Sequence, residues 1–236
     1  MGNVKEILSI IPARGGSKGI PRKNIKKILD KPLIAYTIEA SLKSKYITRT
    51  ILSSEDEEIL SVAKQYGAEV MKRPEELAQD VTKTIPVMID VVNKLANTGY
   101  KPDYTVLLQP TCPLRDENYI DSAFEYYFEA EKRGYDSCFS AFDSGYTHAK
   151  WRILHDGKLE GLYDYRIRPR RQETEQHYKM ITENGAFYAL ETETMLKAND
   201  FIGFNPIAYV TPRVIDIDTI EDFKKVEEIL KGKSNN

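Results

Sequence analysis

Cysteine, tryptophan and histidine are scarce in this chain: two, one and three residues among 236. Cys112 and Cys138 make no disulfide framework, and a pair of reduced thiols in a cytoplasmic protein is the expectation. No zinc-ligand spacing occurs, because His148, His155 and His177 are scattered in the way of surface or substrate-contact histidines. No apolar run reaches membrane-spanning length, and the N-terminal MGNVKEILSIIPARGG lacks signal-peptide architecture, so no membrane partner is expected. Gly2 is followed by Glu6 where a myristoylation signal carries Ser or Thr. A surplus of one charge sign is missing too. With 34 basic and 36 acidic residues the net charge is −2, which removes the global basic field that nucleic acid would call for. Any phosphate-binding charge must therefore be local. What remains, 41% hydrophobic and 30% charged, is the balance of a globular chain. Its length suits a single domain, 1–236, with a core of its own.

Strand and helix signals alternate through the first two-thirds of the chain. Ile7 to Ile11 is a nearly continuous apolar run ended by Pro12, the pattern of a buried central strand. Pro32 opens a helix running to about Lys45. Arg49–Ser54 reads as a second strand, followed by a helix with an acidic first turn that Gly67 ends. Ala68–Met71 is a third strand, and Thr84–Ala96 a helix with Ile85, Met88, Ile89, Val92 and Leu95 on one face. Tyr104–Leu108 is a buried strand, Asp116–Arg133 a helix and Ser137–Ala141 a strand. This rhythm predicts an α/β fold, doubly wound, with a mostly parallel sheet covered on both faces. Between about 142 and 182 the pattern lapses into a polar, Tyr- and Arg-rich stretch containing RIRPRRQETEQ, with no apolar period. It reads as a loop or as an arm ordered by a partner chain. The rhythm resumes at Gly185–Leu190 and ends with an extended Val214–Asp218 and a helix from about Thr219, where Thr219-x-x-Asp222 predicts a capping box.

Two features carry chemistry. The loop PARGGSKGIPRKN follows the first strand, at the end where open α/β sheets bind ligands. Gly15, Gly16 and Gly19 allow close backbone approach to an anion, and Arg14, Lys18 and Lys23 add positive charge. GxxxxGK[ST] and GxGxxG are both absent, as are GxSxG and any other sign of a Ser-His-Asp triad. Taken alone, the loop also fits a solvated glycine-rich turn. The second feature is Asp216-Ile217-Asp218. Residues two apart on an extended strand share a face, so both carboxylates would project together. Two such carboxylates repel unless a cation lies between them, and a hard Mg²⁺ shared with phosphate oxygens is one solution. A helix-capping role is the other reading of this pair. The two features together point to a nucleotide triphosphate with Mg²⁺.

IIPARGGSKGIPRKN, RPEELAQD, LLQPTCPLR, ENGAFY and IDIDT occur in the order found in the acylneuraminate cytidylyltransferases, the CMP-sialic acid synthetases, and the chain resembles that family from about Ile7 to Leu230. The resemblance implies transfer of CMP from CTP to the anomeric hydroxyl of a nine-carbon 2-keto sugar acid, with release of pyrophosphate and a need for Mg²⁺. It also implies a homodimer whose arm reaches over the partner's site, which suits the stretch 142–182. Arg14, Gly16, Lys18 and Lys23 match the triphosphate loop, with Arg14 and Lys23 as the catalytic cations. Asn24 matches a nucleotide contact, and Arg73, Thr82 and Thr84 lie in the segment that reads cytosine. Gln109 and Thr111 fall in the sugar motif, Lys150, Arg171 and Tyr188 around the sugar acid, and Asp216 and Asp218 at the metal.

The chain departs from the family pattern twice. Cys112 stands where QPTSPLR has serine, and a thiol is the weaker hydrogen-bond partner. Ser53-Ser54-Glu55 replaces an STD motif, where Glu55 would serve equally well as a helix-start acid. The form of the loop favours sialic or legionaminic acid as substrate. Pseudaminic acid, deaminated neuraminic acid and the eight-carbon Kdo are alternatives, and a CTP-binding domain without turnover is the non-enzyme reading.

Overall fold

A computed structural model describes residues 5–145, 151–154, 158–161 and 180–234. The first strand, β1 (Ile7–Pro12), sits inside a seven-stranded sheet. A short hairpin follows, β2 (Lys27–Ile28) with β3 (Lys31–Pro32), and then α1 (Leu33–Lys43). Next come β4 (Arg49–Ser54), α2 (Glu57–Gln65), β5 (Glu69–Lys72), α3 (Thr84–Ala96) and β6 (Tyr104–Leu107). After these come α4 (Tyr119–Glu131), β7 (Ser137–Asp143) and a hairpin of β8 (Trp151–Ile153) and β9 (Leu159–Gly161). The chain closes with β10 (Ile181–Glu191), α5 (Thr192–Ala198), β11 (Pro206–Thr211) and α6 (Ile220–Ser234).

The sheet order is β11-β7-β10-β6-β1-β4-β5. β6, β1, β4 and β5 run parallel, as do β7 and β11, while β10 is antiparallel to both its neighbours. The alternation along β1 explains the two-sided cover. Ile7 and Ile11 pack with α1, α2 and α4 on one face, and Leu8 and Ile10 with α3 on the other. Each fully buried aliphatic side chain of this kind contributes roughly 1.5–3 kcal/mol. A third cluster joins Ile20 and Ile28 to Ile217, Phe223 and Val226 of the C-terminal segment.

Two expectations need correction, and two elements went unread. Residues 214–218 join no ladder: both edges of β6 are taken by β1 and β10, and the segment's backbone meets the loop after β6 through Ile217 N–H, which donates to the Thr111 carbonyl at 2.9 Å. The stretch 142–182 is not wholly irregular, since it holds β8 and β9 and the ends of β7 and β10. β11 and α5 carry too weak a pattern to be read in advance: β11 is an edge strand opening on Pro206, and α5 is only 7 residues long. Among the described residues no helix is long and apolar enough to cross a membrane.

Candidate active site

The parallel strands β1, β4 and β6 deliver their C-terminal ends to one edge of the sheet, and the chain order reverses beside β1. The loop after β1 is pinned there by the turn that follows β4. Ala13 N–H donates to the Ser53 carbonyl at 3.0 Å, and Gly15 N–H to Glu55 Oε1 at 2.6 Å. A Cβ on Gly15 would stand 2.6 Å from Asp56 Oδ2, and one on Gly19 the same distance from the Asp218 carbonyl oxygen. Glycine is thus required by close packing at both positions. Gly16 is different, with open space where its Cβ would be.

The loop's cations divide by partner. Arg22 is spent structurally: it pairs with Asp56 and Glu58, and these hydrogen bonds hold its pKa above the usual arginine value. Arg14 and Lys18 both reach one carboxylate, Asp80, at 2.8 and 2.7 Å. The hydrogen bond from Lys18, aided by Arg14, pulls the Asp80 pKa down. Lys23, only 14% exposed in its side chain, donates to the Ile217 carbonyl at 2.6 Å and lies 3.7 Å from Asp218 Oδ1. The first loop and the distant IDID segment therefore meet directly. Thr219 and Asp222 form the reciprocal cap of α6, so helix capping does not occupy the carboxylates of Asp216 or Asp218.

A cavity of about 280 Å³ opens between these parts, lined by Arg14, Lys23, Asn24, Arg73, Thr82, Thr84, Gln109, Thr111, Asp216 and Asp218 among others. Asn24 donates from Nδ2 to the Arg14 carbonyl at 2.8 Å, but its buried Oδ1 has no partner among the described residues. Such an orphaned acceptor is costly unless a ligand donor meets it. Arg73 is 5% exposed and bound through Nε and Nη2 to Glu55 Oε2, at 3.1 and 2.9 Å. Asp216 is reachable by solvent through the cleft, yet it lies deep enough that lost hydration pushes its pKa up. Thr111 opposes the rise and the charge of Asp218 adds to it. Among the described residues no group of three His, Cys, Asp or Glu side chains is placed to hold a metal ion. Asp216 and Asp218 are the pair that could hold a cation here, with phosphate oxygens and water completing its shell. That division suits a hard divalent ion.

A second cavity of about 610 Å³ shares Gln109, Asp216 and Asp218 with the first and adds Tyr188, Glu183, Asn184 and Arg213. Tyr188 is buried, pairs across the sheet with Leu107, and donates its hydroxyl to Glu183 at 3.0 Å. Burial pushes its pKa up, which keeps it a donor. Cys112 lines neither cavity. Its thiol is fully buried and donates to the Asn184 carbonyl at 3.2 Å, and burial pushes it up to about 12. The exchange of Ser for Cys is therefore a core event, and nothing places this side chain against a sugar. Lys150 and Arg171, with His148, His155 and His177, lie outside the described residues.

Sequence reasoning missed several contributors. Glu55 does not start α2, whose cap is Asp56, but holds Arg73 and the loop instead. Asp80 closes RPEELAQD, the motif that opens on Arg73, and pairs with Arg14 and Lys18. Asn184, in ENGAFY, is buried and accepts from Ser140 Oγ at 2.5 Å and Ala186 N–H at 3.1 Å, which fixes the bulge where β10 passes Gln109. Arg115 donates to the carbonyls of Gln109, Cys112 and Ala186 at 2.9, 2.6 and 2.8 Å, and clamps the loop after β6 to β10. The signal for these residues was their presence in the motifs, but no periodicity distinguishes a ligand contact from a brace behind it.

Comparison with known proteins decides the family. A sequence profile described as "Cytidylyltransferase" matches residues 8–233. The chain belongs to the cytidylyltransferase family. Over 237 residues it is 34% identical to the pseudaminic acid cytidylyltransferase of Campylobacter jejuni, covering 95% of this chain and 96% of that one. It is also 34% identical to the N-acylneuraminate cytidylyltransferase of Escherichia coli O18:K1:H7, covering 97% of this chain and 53% of that longer protein. The CMP-N,N'-diacetyllegionaminic acid synthase of Legionella pneumophila is 42% identical over 120 residues, covering 50% of this chain and 52% of that one. A structure of CMP:2-keto-3-deoxy-manno-octonic acid synthetase complexed with CTP superposes with a TM-score of 0.69. That match covers 97% of this cytidylyltransferase and 100% of the other chain at 14% identity, which establishes a common fold.

Proposed function

We propose that this cytidylyltransferase transfers CMP from CTP to the anomeric hydroxyl of a nonulosonic acid, N-acylneuraminic or legionaminic acid, and releases pyrophosphate. The observation that carries the proposal is the meeting of Lys23 with the Asp216–Asp218 segment at the wall shared by two cavities. In this reading the smaller cavity takes the nucleotide and the larger one the sugar acid.

Arg14 and Lys18 exchange Asp80 for the β- and γ-phosphates, and the open backbone at Gly16 adds N–H groups. Lys23 stands at the α-phosphate and stabilises the charge that spreads over it. Asn24 Oδ1 accepts from a nucleotide donor, and Arg73 with Thr82 and Thr84 reads cytosine. Gln109, Thr111 and Tyr188 orient the sugar acid, with Lys150 and Arg171 contributing from the 142–182 arm. Its anomeric oxygen attacks the α-phosphorus, the bond to the β-phosphate oxygen breaks, and the hydroxyl proton passes to solvent. A Mg²⁺ held by Asp216 and Asp218 would supply charge neutralisation at the phosphates.

The test is pyrophosphate release from CTP and Mg²⁺ with a panel of sialic, legionaminic, pseudaminic and deaminated neuraminic acids and Kdo. Turnover is expected on a nine-carbon acid. CTP binding with no pyrophosphate from any acid would leave the non-catalytic reading standing. The identity to the Campylobacter jejuni enzyme makes pseudaminic acid the second substrate to try. We further place the protein in the cytoplasm as a homodimer whose arms complete each other's sugar sites. Light scattering should give twice the 27.1 kDa chain mass, and a monomer would overturn the shared-arm proposal.

A further inference from the structure

Glu55 and Asp56 form the turn between β4 and α2, and between them they hold both ends of the loop after β1. Asp56 caps α2 by accepting from the N–H groups of Glu58 and Ile59 at 3.0 Å, and it also binds Arg22. Glu55 uses its two oxygens separately: Oε1 takes Gly15 N–H at 2.6 Å, and Oε2 takes Arg73 Nε and Nη2 at 3.1 and 2.9 Å. The Arg73–Glu55 pair is nearly enclosed, with side-chain exposures of 4% and 12%.

We propose that Glu55 is a positioning residue for base selection, fixing the Arg73 guanidinium against the cytosine edge and tying it to the phosphate loop. This rests on reading the smaller cavity as the CTP site. With Nε and Nη2 held from behind, Nη1 is the guanidinium nitrogen left without a protein partner among the described residues, and Arg73 lines the cavity beside Thr82 and Thr84. An arginine offers donors alone. Cytosine presents two adjacent acceptors, O2 and N3, whereas uracil carries a proton on N3. A guanidinium fixed in one direction therefore favours cytosine, because the wrong base opposes donor to donor. A guanidinium free to swing would lose most of that preference. A glutamine at this position replaces one of the two accepting oxygens with an NH₂ donor, which would face either Gly15 N–H or the Arg73 guanidinium. An aspartate keeps the charge but is a methylene too short to span both.

The experiment is calorimetric titration of CTP and UTP into the wild type, Glu55→Gln and Glu55→Asp, with a thermal melt of each. Wild type is expected to prefer CTP. In Glu55→Gln both nucleotides weaken through the loop, and the preference for CTP over UTP falls by about tenfold or more, the loss of one well-placed hydrogen-bonding interaction. Glu55→Asp falls between the two. Equal weakening of both nucleotides, an unchanged ratio, or a wild type indifferent to the base would each overturn the proposal. Should Glu55→Gln melt below the assay temperature, the ratio in Glu55→Asp decides. A wild type that binds CTP but releases no pyrophosphate with any acid refutes the proposed reaction, while the CTP/UTP ratio still decides the role of Glu55.

Discussion

Asp216→Asn is expected to lower turnover by about two to three orders of magnitude, the usual scale for removing one preorganised charge from a transition state. The substitution is nearly isosteric, so the cavity keeps its shape. It also removes a carboxylate that burial and Asp218 both disfavour, and Thr219 and Asp222 cap α6 without it. The melting temperature should therefore hold or rise while activity collapses. Near wild-type turnover, or a fall in activity matched by loss of fold, would assign Asp216 to structure.

Lys23→Met should cost a comparable factor, about 10²–10³ in kcat, because the proposed reaction sets this lysine where charge develops on the α-phosphate. Its CTP affinity should fall much less, since in the proposed reading Arg14 and Lys18, now paired with Asp80, turn to the outer phosphates. That split identifies an interaction made chiefly in the transition state. Lys23 also holds the Ile217 carbonyl at 2.6 Å, so some loss of stability will accompany the change. Lys23→Arg controls for this by keeping a donor and a charge. A Lys23→Met variant that loses CTP affinity and kcat in equal measure would make Lys23 a binding residue only.

The parts of this protein that obey a simple period were legible before any coordinates. β1, β4 and α3 fall where apolar runs and the 3.6-residue repeat place them, and the Thr219–Asp222 cap forms as the spacing required. The site was legible as two separated motifs, but not as a contact. Nothing local in PRKN or IDIDT says that Lys23 donates to the Ile217 carbonyl 194 positions away, because the sheet's strand order creates that encounter. The role of Glu55 was hidden for a related reason. An acid before a helix looks like a cap, and only its position beside Gly15 and Arg73 shows that its neighbour Asp56 does the capping. The parallel rhythm likewise concealed β10. Its apolar run is that of any buried strand, and direction leaves no mark on composition.

The most direct test of cytidylyl transfer is ³¹P NMR of purified protein with CTP, Mg²⁺ and the acid that gives turnover. The three CTP resonances should decay together into pyrophosphate and a single phosphodiester signal, with one of each formed per CTP consumed. Formation of CDP and inorganic phosphate, or of pyrophosphate with free CMP and no sugar-linked phosphodiester at any time, would contradict attack of the sugar hydroxyl on the α-phosphorus.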